Sequence, residues 1–277
     1  MVKLPPTIPP LPRDFGWKRD LPMAVPFEWL KSGWADFLVR PGLSLAYGFA
    51  VFLISVAIAI GIFHLNFGYL LFPALAGFLI VAPLLAIGLY EKSREIERGR
   101  PLGLASMVFV KPRSGGQLIF TGLLLALLML LWTRAAVLLY ALFFGMLPFA
   151  GDDEIMHALL KTPQGWALLV VGTLVGGLFA AFSFAISVFS IPMLVNERTD
   201  ALTAMGTSMA LVWNNLGPML VWGAIVLVLT AIGIATGLTG LIVVFPVLGH
   251  ATWHAYMAVR QDPAAEEAIG VLDGAEA

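Results

Sequence analysis

The sequence predicts an all-α polytopic membrane protein with six transmembrane helices, built as three helical hairpins each preceded by a short interfacial helix. Three observations carry this. The 277 residues are 60% hydrophobic and 12% charged, with a mean hydropathy of +0.92, about half the charge that covers an ordinary soluble surface. The deficit falls in blocks: Asp, Glu, Lys and Arg are absent from 41–90, 162–196 and 201–259, and 114–151 holds Arg134 alone. The apolar stretches also lack strand alternation. Backbone in lipid must satisfy its own hydrogen bonds, so helices remain.

The elements follow in order. Residues 1–26 form a proline-rich arm, in which Pro5, Pro6, Pro9, Pro10 and Pro12 rule out the apolar core of a signal peptide and favour polyproline geometry. In 26–38, Phe27, Leu30, Trp34, Phe37 and Leu38 recur at helical spacing, too briefly to cross a bilayer. Arg40-Pro41-Gly42 breaks that helix. Spans at 43–63 and 68–90 follow, joined through His64-Leu65-Asn66-Phe67; each is near the ~20 residues a crossing needs. A second short segment, 102–110, ends at Lys111-Pro112-Arg113-Ser114-Gly115-Gly116 and leads into spans at 117–145 and 166–194. A third, 199–213, ends at Asn214-Asn215-Leu216-Gly217-Pro218 and leads into 216–236 and 239–259, with a turn at Thr236-Gly237-Leu238. The bundle thus occupies 27–260, and 261–277 is a short acidic tail. Pro73, Pro83, Pro192 and Pro246 predict kinks.

Basic residues set the orientation. They precede the first span, lie between the second and third (Lys92 to Arg113), and follow the fourth (Arg198) and sixth (Arg260). Only Lys161 falls on the opposite side, in a loop with Asp152, Asp153 and Glu154. Both termini are therefore expected on the cytoplasmic side of an inner membrane. The net charge of −1 offers no footprint for nucleic acid, and the absence of cysteine excludes disulfides and thiolate metal sites.

The even-numbered spans end alike. Pro83 to Glu91 can be laid over Phe189 to Glu197 and Pro246 to His254, which places Glu91, Glu197 and His254 at equivalent helix ends. Gly88-Leu89-Tyr90-Glu91-Lys92-Ser93-Arg94 with Glu97 and Gly99, and Gly249-His250-Ala251-Thr252-Trp253-His254-Ala255-Tyr256, resemble the DUF2189 family of bacterial integral membrane proteins, over most of Trp29 to Arg260. Some members of that family carry a cytochrome c oxidase subunit label. The resemblance implies a six-helix inner-membrane protein and hints at a respiratory association. Four histidines are too few for a catalytic oxidase subunit.

Few residues can carry chemistry. His250 and His254 share one face of the last helix and can offer two ligands to a metal ion, with Glu91 or Glu197 completing the set; alternatively they anchor the helix beside Trp253 and Tyr256. Arg134 is the one charge inside a span, about 26 Å beyond Gln117. It is expected to snorkel to the outer headgroups or to contact an anionic substrate, with the apolar stretch 135–149 bending or lying along the interface. The run from Glu91 to Arg100 alternates in sign, which predicts a solvated helical face with Glu91–Arg94 and Glu95–Arg98 pairs. Gly172-x-x-x-Gly176 predicts close helix packing. Ser183 and Ser187 lack a histidine in their span to activate them. With no phosphate loop and no intramembrane carboxylate, a non-catalytic accessory or assembly subunit of a membrane complex leads. A small-solute transporter or channel and a metal- or haem-handling protein stand as alternatives.

Overall fold

The structure, a computed structural model, describes residue 17 and residues 19–65, 71–145 and 152–260. Most of the proline-rich arm, Asn66 and Phe67 of the first turn, the side chains of Asp152, Asp153 and Glu154, and the tail 261–277 lie outside that description. All the regular secondary structure described is helical: α1 (Val25–Leu38), α2 (Pro41–His64), α3 (Leu71–Leu85), α4 (Ile87–Glu97), α5 (Leu104–Val108), α6 (Gly115–Phe144), α7 (Asp152–Lys161), α8 (Pro163–Ser187), α9 (Ser190–Asn196), α10 (Ala201–Asn214), α11 (Leu216–Ala235) and α12 (Leu241–Val259). Six stretches are long and apolar enough to cross a membrane: Pro41–His64, Pro73–Glu97, Gly115–Phe144, Pro163–Asn196, Leu216–Ala235 and Leu241–Val259. The protein is an integral membrane protein with multiple spans.

The segments before the odd-numbered spans are helices α1, α5 and α10. In α1 the expected single apolar face is divided: Trp29, Gly33 and Phe37 pack inward, while Phe27, Trp34 and Leu38 point out. The spacing showed the helix but not which apolar residues its neighbours would cover. Helix α7 stands where the sequence suggested only a charged loop. Helix α6 continues unbroken past Arg134 to Phe144, since the first breaker it meets is Gly145 at φ +73°.

The second and fourth spans each change helix partway, and a hydroxyl from another helix mends each break. Between α8 and α9, Ser208 Oγ of α10 donates to Ala185 O at 2.7 Å and accepts from Phe189 N–H at 3.2 Å. It has inserted into the bond those two groups would make in a continuous helix. Pro192 then sits in the first turn of α9, where its missing N–H costs nothing. Between α3 and α4, three residues after Pro83, Tyr47 of α2 bonds Leu85 O at 2.8 Å and receives the Gly88 N–H at 3.3 Å. Pro246 leaves α12 continuous but frees the carbonyl of Ile242, four residues back. Gly48 of α2 presses against that carbonyl, so closely that a Cβ there would lie 2.1 Å from the oxygen.

Helix α12 is the hub. It packs against α1, α2, α4 and α11, and 67% of its span is buried against 11% for the first and third spans. Small residues permit the approach: a Cβ on Gly33 of α1 would lie 2.5 Å from Ala251 N of α12. Trp29 of α1 meets Trp222 of α11 edge to face, centroids 5.9 Å apart. The glycine pair of α8 packs more simply than its spacing suggested. Gly176 seats the indole of Trp132, and Gly172 faces open space.

Candidate functional site

The polar side chains gather at the end of the bundle where α1 finishes and the even-numbered spans emerge, here the basic end. Helix α1 ends with carbonyls that have no partner within the helix. The ammonium of Lys92, on α4, joins the Val39 N–H on one of them, donating to Asp36 O at 3.0 Å and to Ser44 Oγ of α2 at 2.7 Å. Lys92 is fully buried, as is His250 of α12. His250 Nε2 lies 3.0 Å from Ser44 Oγ, and its Nδ1 lies 2.8 Å from Ser93 Oγ. Because Ser44 accepts from Lys92, its own proton is free for His250 Nε2, and Nδ1–H then donates to Ser93. Ser93 also lies near enough to the Asp36 carboxylate to lower its pKa, and that carboxylate takes His254 Nε2 at 2.9 Å. The result is a polar cluster in which hydrogen bonds run from a buried ammonium through Ser44 and His250 to Ser93, beside the Asp36–His254 pair, across α4, α2, α12 and α1.

Asp36 shows the electrostatics. Burial works to raise its pKa, but the hydrogen bonds from His254 and Ser93 and the field of His254 outweigh burial and hold it below the usual carboxylate value. The carboxylate is the form the site is built around.

A second cluster sits beside the first. Glu91 pairs with Arg94 within α4, and Arg94 Nη1 donates to Val195 O of α9 at 2.6 Å. The Val195 carbonyl also accepts Arg113 N–H at 3.2 Å, and Asn196 Oδ1 takes Arg98 Nη2 at 3.0 Å. The Tyr256 hydroxyl of α12 donates to Glu197 and receives Asn196 Nδ2 at 3.3 Å.

The structure therefore brings His250 and His254 to one face, as their spacing requires, but commits them to different partners. It draws the ends of the second, fourth and sixth spans together, yet gives Glu91 to Arg94 and Glu197 to Tyr256. Among the described residues no three His, Asp or Glu side chains are grouped to hold a metal ion. The run from Glu91 to Arg100 is not a uniform solvated face: residues 91–95 are buried, and only the stretch from Glu97 onward is exposed. The Glu91–Arg94 pair is present. Glu95 instead faces Arg100, because Gly99 at φ +62° turns the chain back and Arg98 is drawn to Asn196. Arg134 is exposed on α6. Asp36, Ser44, Lys92, Ser93 and Tyr256 were not among the site residues the sequence suggested. Asp36 shares its short segment with Glu28 and Lys31, and nothing local marks it as the buried one.

Away from the basic end, a cavity of about 80 Å³ lies between α3, α8, α11 and α12, lined by Pro83, Tyr90, Ser187, Trp222 and Phe245 among others. Ser187 Oγ, Ser183 Oγ and Trp222 Nε1 are buried without a hydrogen-bond partner.

Residues 71–196 match the family model DUF2189, described as a predicted integral membrane protein. That stretch takes in the motif from Gly88 to Gly99 and stops short of the Gly249–Tyr256 motif. No curated protein matches the chain, and no solved structure matches it.

Proposed function

We infer that this chain is a non-catalytic accessory or assembly subunit of a complex in the bacterial inner membrane, with both termini cytoplasmic. One observation carries the reading: the side chains able to do chemistry join helices to one another. His250 ties α12 to α2 and α4, His254 ties α12 to α1, Arg94 ties α4 to α9, and Tyr256 ties α12 to Glu197. Such a core fixes the shape of an outer surface rich in large apolar side chains, Leu142 at 76% exposure among them. In this reading α1, α5 and α10 lie in the headgroup plane with Phe27, Trp34, Leu202 and Trp213 toward the acyl chains. The three helix-plus-hairpin units are copies of one ancestral element, and the family's oxidase label makes a respiratory complex the first partner to seek. Mild-detergent purification of a tagged copy from its native membrane, with mass spectrometry, tests this. A stoichiometric set of companion subunits supports it, and a chain that emerges alone overturns it.

The cavity beside the two helix breaks favours a second reading, a small-solute transporter or channel. At about 80 Å³ it holds a few waters and is far below the ~300 Å³ of an ordinary ligand site, so any path would need the helices to move. Under this reading Arg134 contacts the solute, and Arg134→Leu abolishes flux in reconstituted vesicles. Metal handling through His250, His254, Glu91 and Glu197 requires Glu91 to leave Arg94 or Glu197 to leave Tyr256. Metal analysis of the purified chain tests it directly.

A further inference from the structure

The basic end carries more positive charge than the bundle uses. Arg94 is matched by Glu91, and Arg100 by Glu95 at 3.4 Å. Arg98 and Arg113 have no carboxylate partner among the described residues, and neither has Lys111, although all three are exposed. The cluster is held together through the end of the fourth span: Val195 O accepts from both Arg94 and Arg113 N–H, and Asn196 fixes Arg98. Burial, then the like charges of Arg94, Arg100 and Arg113, lower the pKa of Arg98, with Glu95 only partly offsetting them. Arg94, Arg98, Arg100 and Arg113 are thus crowded together, and the two carboxylates paired to arginines there, Glu91 and Glu95, leave Arg98 and Arg113 unmatched.

The apolar surroundings point to what the surplus charge meets. A groove of about 310 Å³ is lined by Tyr47, Leu84, Ile87, Met107, Val108 and Pro112 among others, and Pro112 stands between Lys111 and Arg113. Phe109, between the lining residues Val108 and Val110, is 76% exposed, and Ile119 and Leu123 are exposed apolar side chains one and two turns into α6, beyond the lining residue Leu118. A soluble anion would use the charge and leave the groove empty. A fatty-acyl chain without a charged head would do the reverse.

We propose that the basic loop 111–113, together with Arg98, binds the phosphate of an anionic phospholipid whose acyl chain lies in the groove between α4, α5 and α6. The phosphodiester accepts hydrogen bonds from guanidinium groups that no carboxylate occupies. The groove places the first part of the chain against α5, where the α6 surface continues it into the bilayer. The bound lipid would sit as a wedge between the second and third spans.

The test is native mass spectrometry of the full-length chain in detergent, titrated with dioleoylphosphatidylglycerol, dioleoylphosphatidylcholine or inorganic phosphate. Wild type is expected to retain phosphatidylglycerol in preference to phosphatidylcholine, with inorganic phosphate at millimolar concentration unable to displace it. Each arginine near a membrane surface contributes about fivefold. Replacing both, Arg98→Gln with Arg113→Gln, is therefore expected to weaken phosphatidylglycerol binding about 25-fold, and the paired Lys variants are expected to keep most of it. Val108→Trp fills the groove without touching the charge and is expected to weaken binding as well. Equal retention of the two lipids in wild type overturns the proposal, whether or not the glutamine variants fold. Displacement by inorganic phosphate reassigns the site to a soluble anion. Unchanged phosphatidylglycerol binding in folded glutamine variants removes these arginines from it.

Discussion

Lys92 and Glu97 stand five residues apart in one charged run, and the structure gives them opposite fates. Lys92 is fully buried and donates to Asp36 O and Ser44 Oγ, whereas Glu97 is exposed. Removing a buried charged donor forfeits hydrogen bonds worth about 1.5–3 kcal/mol each. Lys92→Met is accordingly expected to destabilise the protein by roughly 3 kcal/mol or more, and Glu97→Gln by less than about 0.5 kcal/mol; thermal unfolding in detergent compares them. Asp36 sets a pH limit. Its folded pKa lies below the ordinary carboxylate value, so the unfolded chain binds the proton more readily, and the stability Asp36 contributes is complete above about pH 4–5. That contribution is lost as pH falls through the depressed folded pKa. Asp36→Asn is expected to flatten the acid limb of a melting-temperature profile, and an unchanged limb would assign acid sensitivity elsewhere. The sequence shows the charges but not their burial. The partners of Lys92 and His254 lie 56 and 218 residues away, beyond any local periodicity.

At the scale of elements, the spans were legible because lipid imposes a simple requirement: a charge-free stretch of sufficient length must be a helix. The helix breaks were half legible. Pro83 and Pro192 announced a disturbance, but the hydroxyls that mend the two breaks come from α2 and α10, and nothing in a span names its splint. Ser208→Ala deletes one splint and leaves Ala185 O and Phe189 N–H buried without partners, at about 1–3 kcal/mol. Faster hydrogen exchange around the start of α9 would register it; unchanged exchange would mean the broken helix closes on itself. Packing makes a sharper contrast among glycines. A Cβ at Gly33 meets Ala251 N at 2.5 Å, while one at Gly172 meets nothing within 4 Å. Gly33→Val is expected to prise α1 from α12 and cost at least the ~1–3 kcal/mol of overpacking. Gly172→Ala is expected to leave unfolding unchanged or slightly delayed.

For the whole molecule, six helices long and apolar enough to cross a membrane followed from the distribution of charge, and the short helices before the odd ones from apolar spacing and the breakers after them, whereas the placement of α12 at the centre followed from neither. It is the least apolar of the six spans, with a mean hydropathy of 1.3 against 2.0–2.4 for the others, and its small and polar positions (Gly249, His250, Ala251, His254) hint that neighbours press on it without naming them. That arrangement has a consequence for biogenesis. Among the described helices α12 is the last to leave the ribosome, yet α1, α2 and α4 all close upon it. Until it arrives, the sockets for Gly33, Gly48 and Ser93 have no occupant, and the Lys92–Ser44–Asp36 cluster lacks its imidazoles. The five earlier spans must leave room among themselves in the bilayer, and Ser44, Ser93 and Asp36 gain their bonds to His250 and His254 only when α12 enters that space.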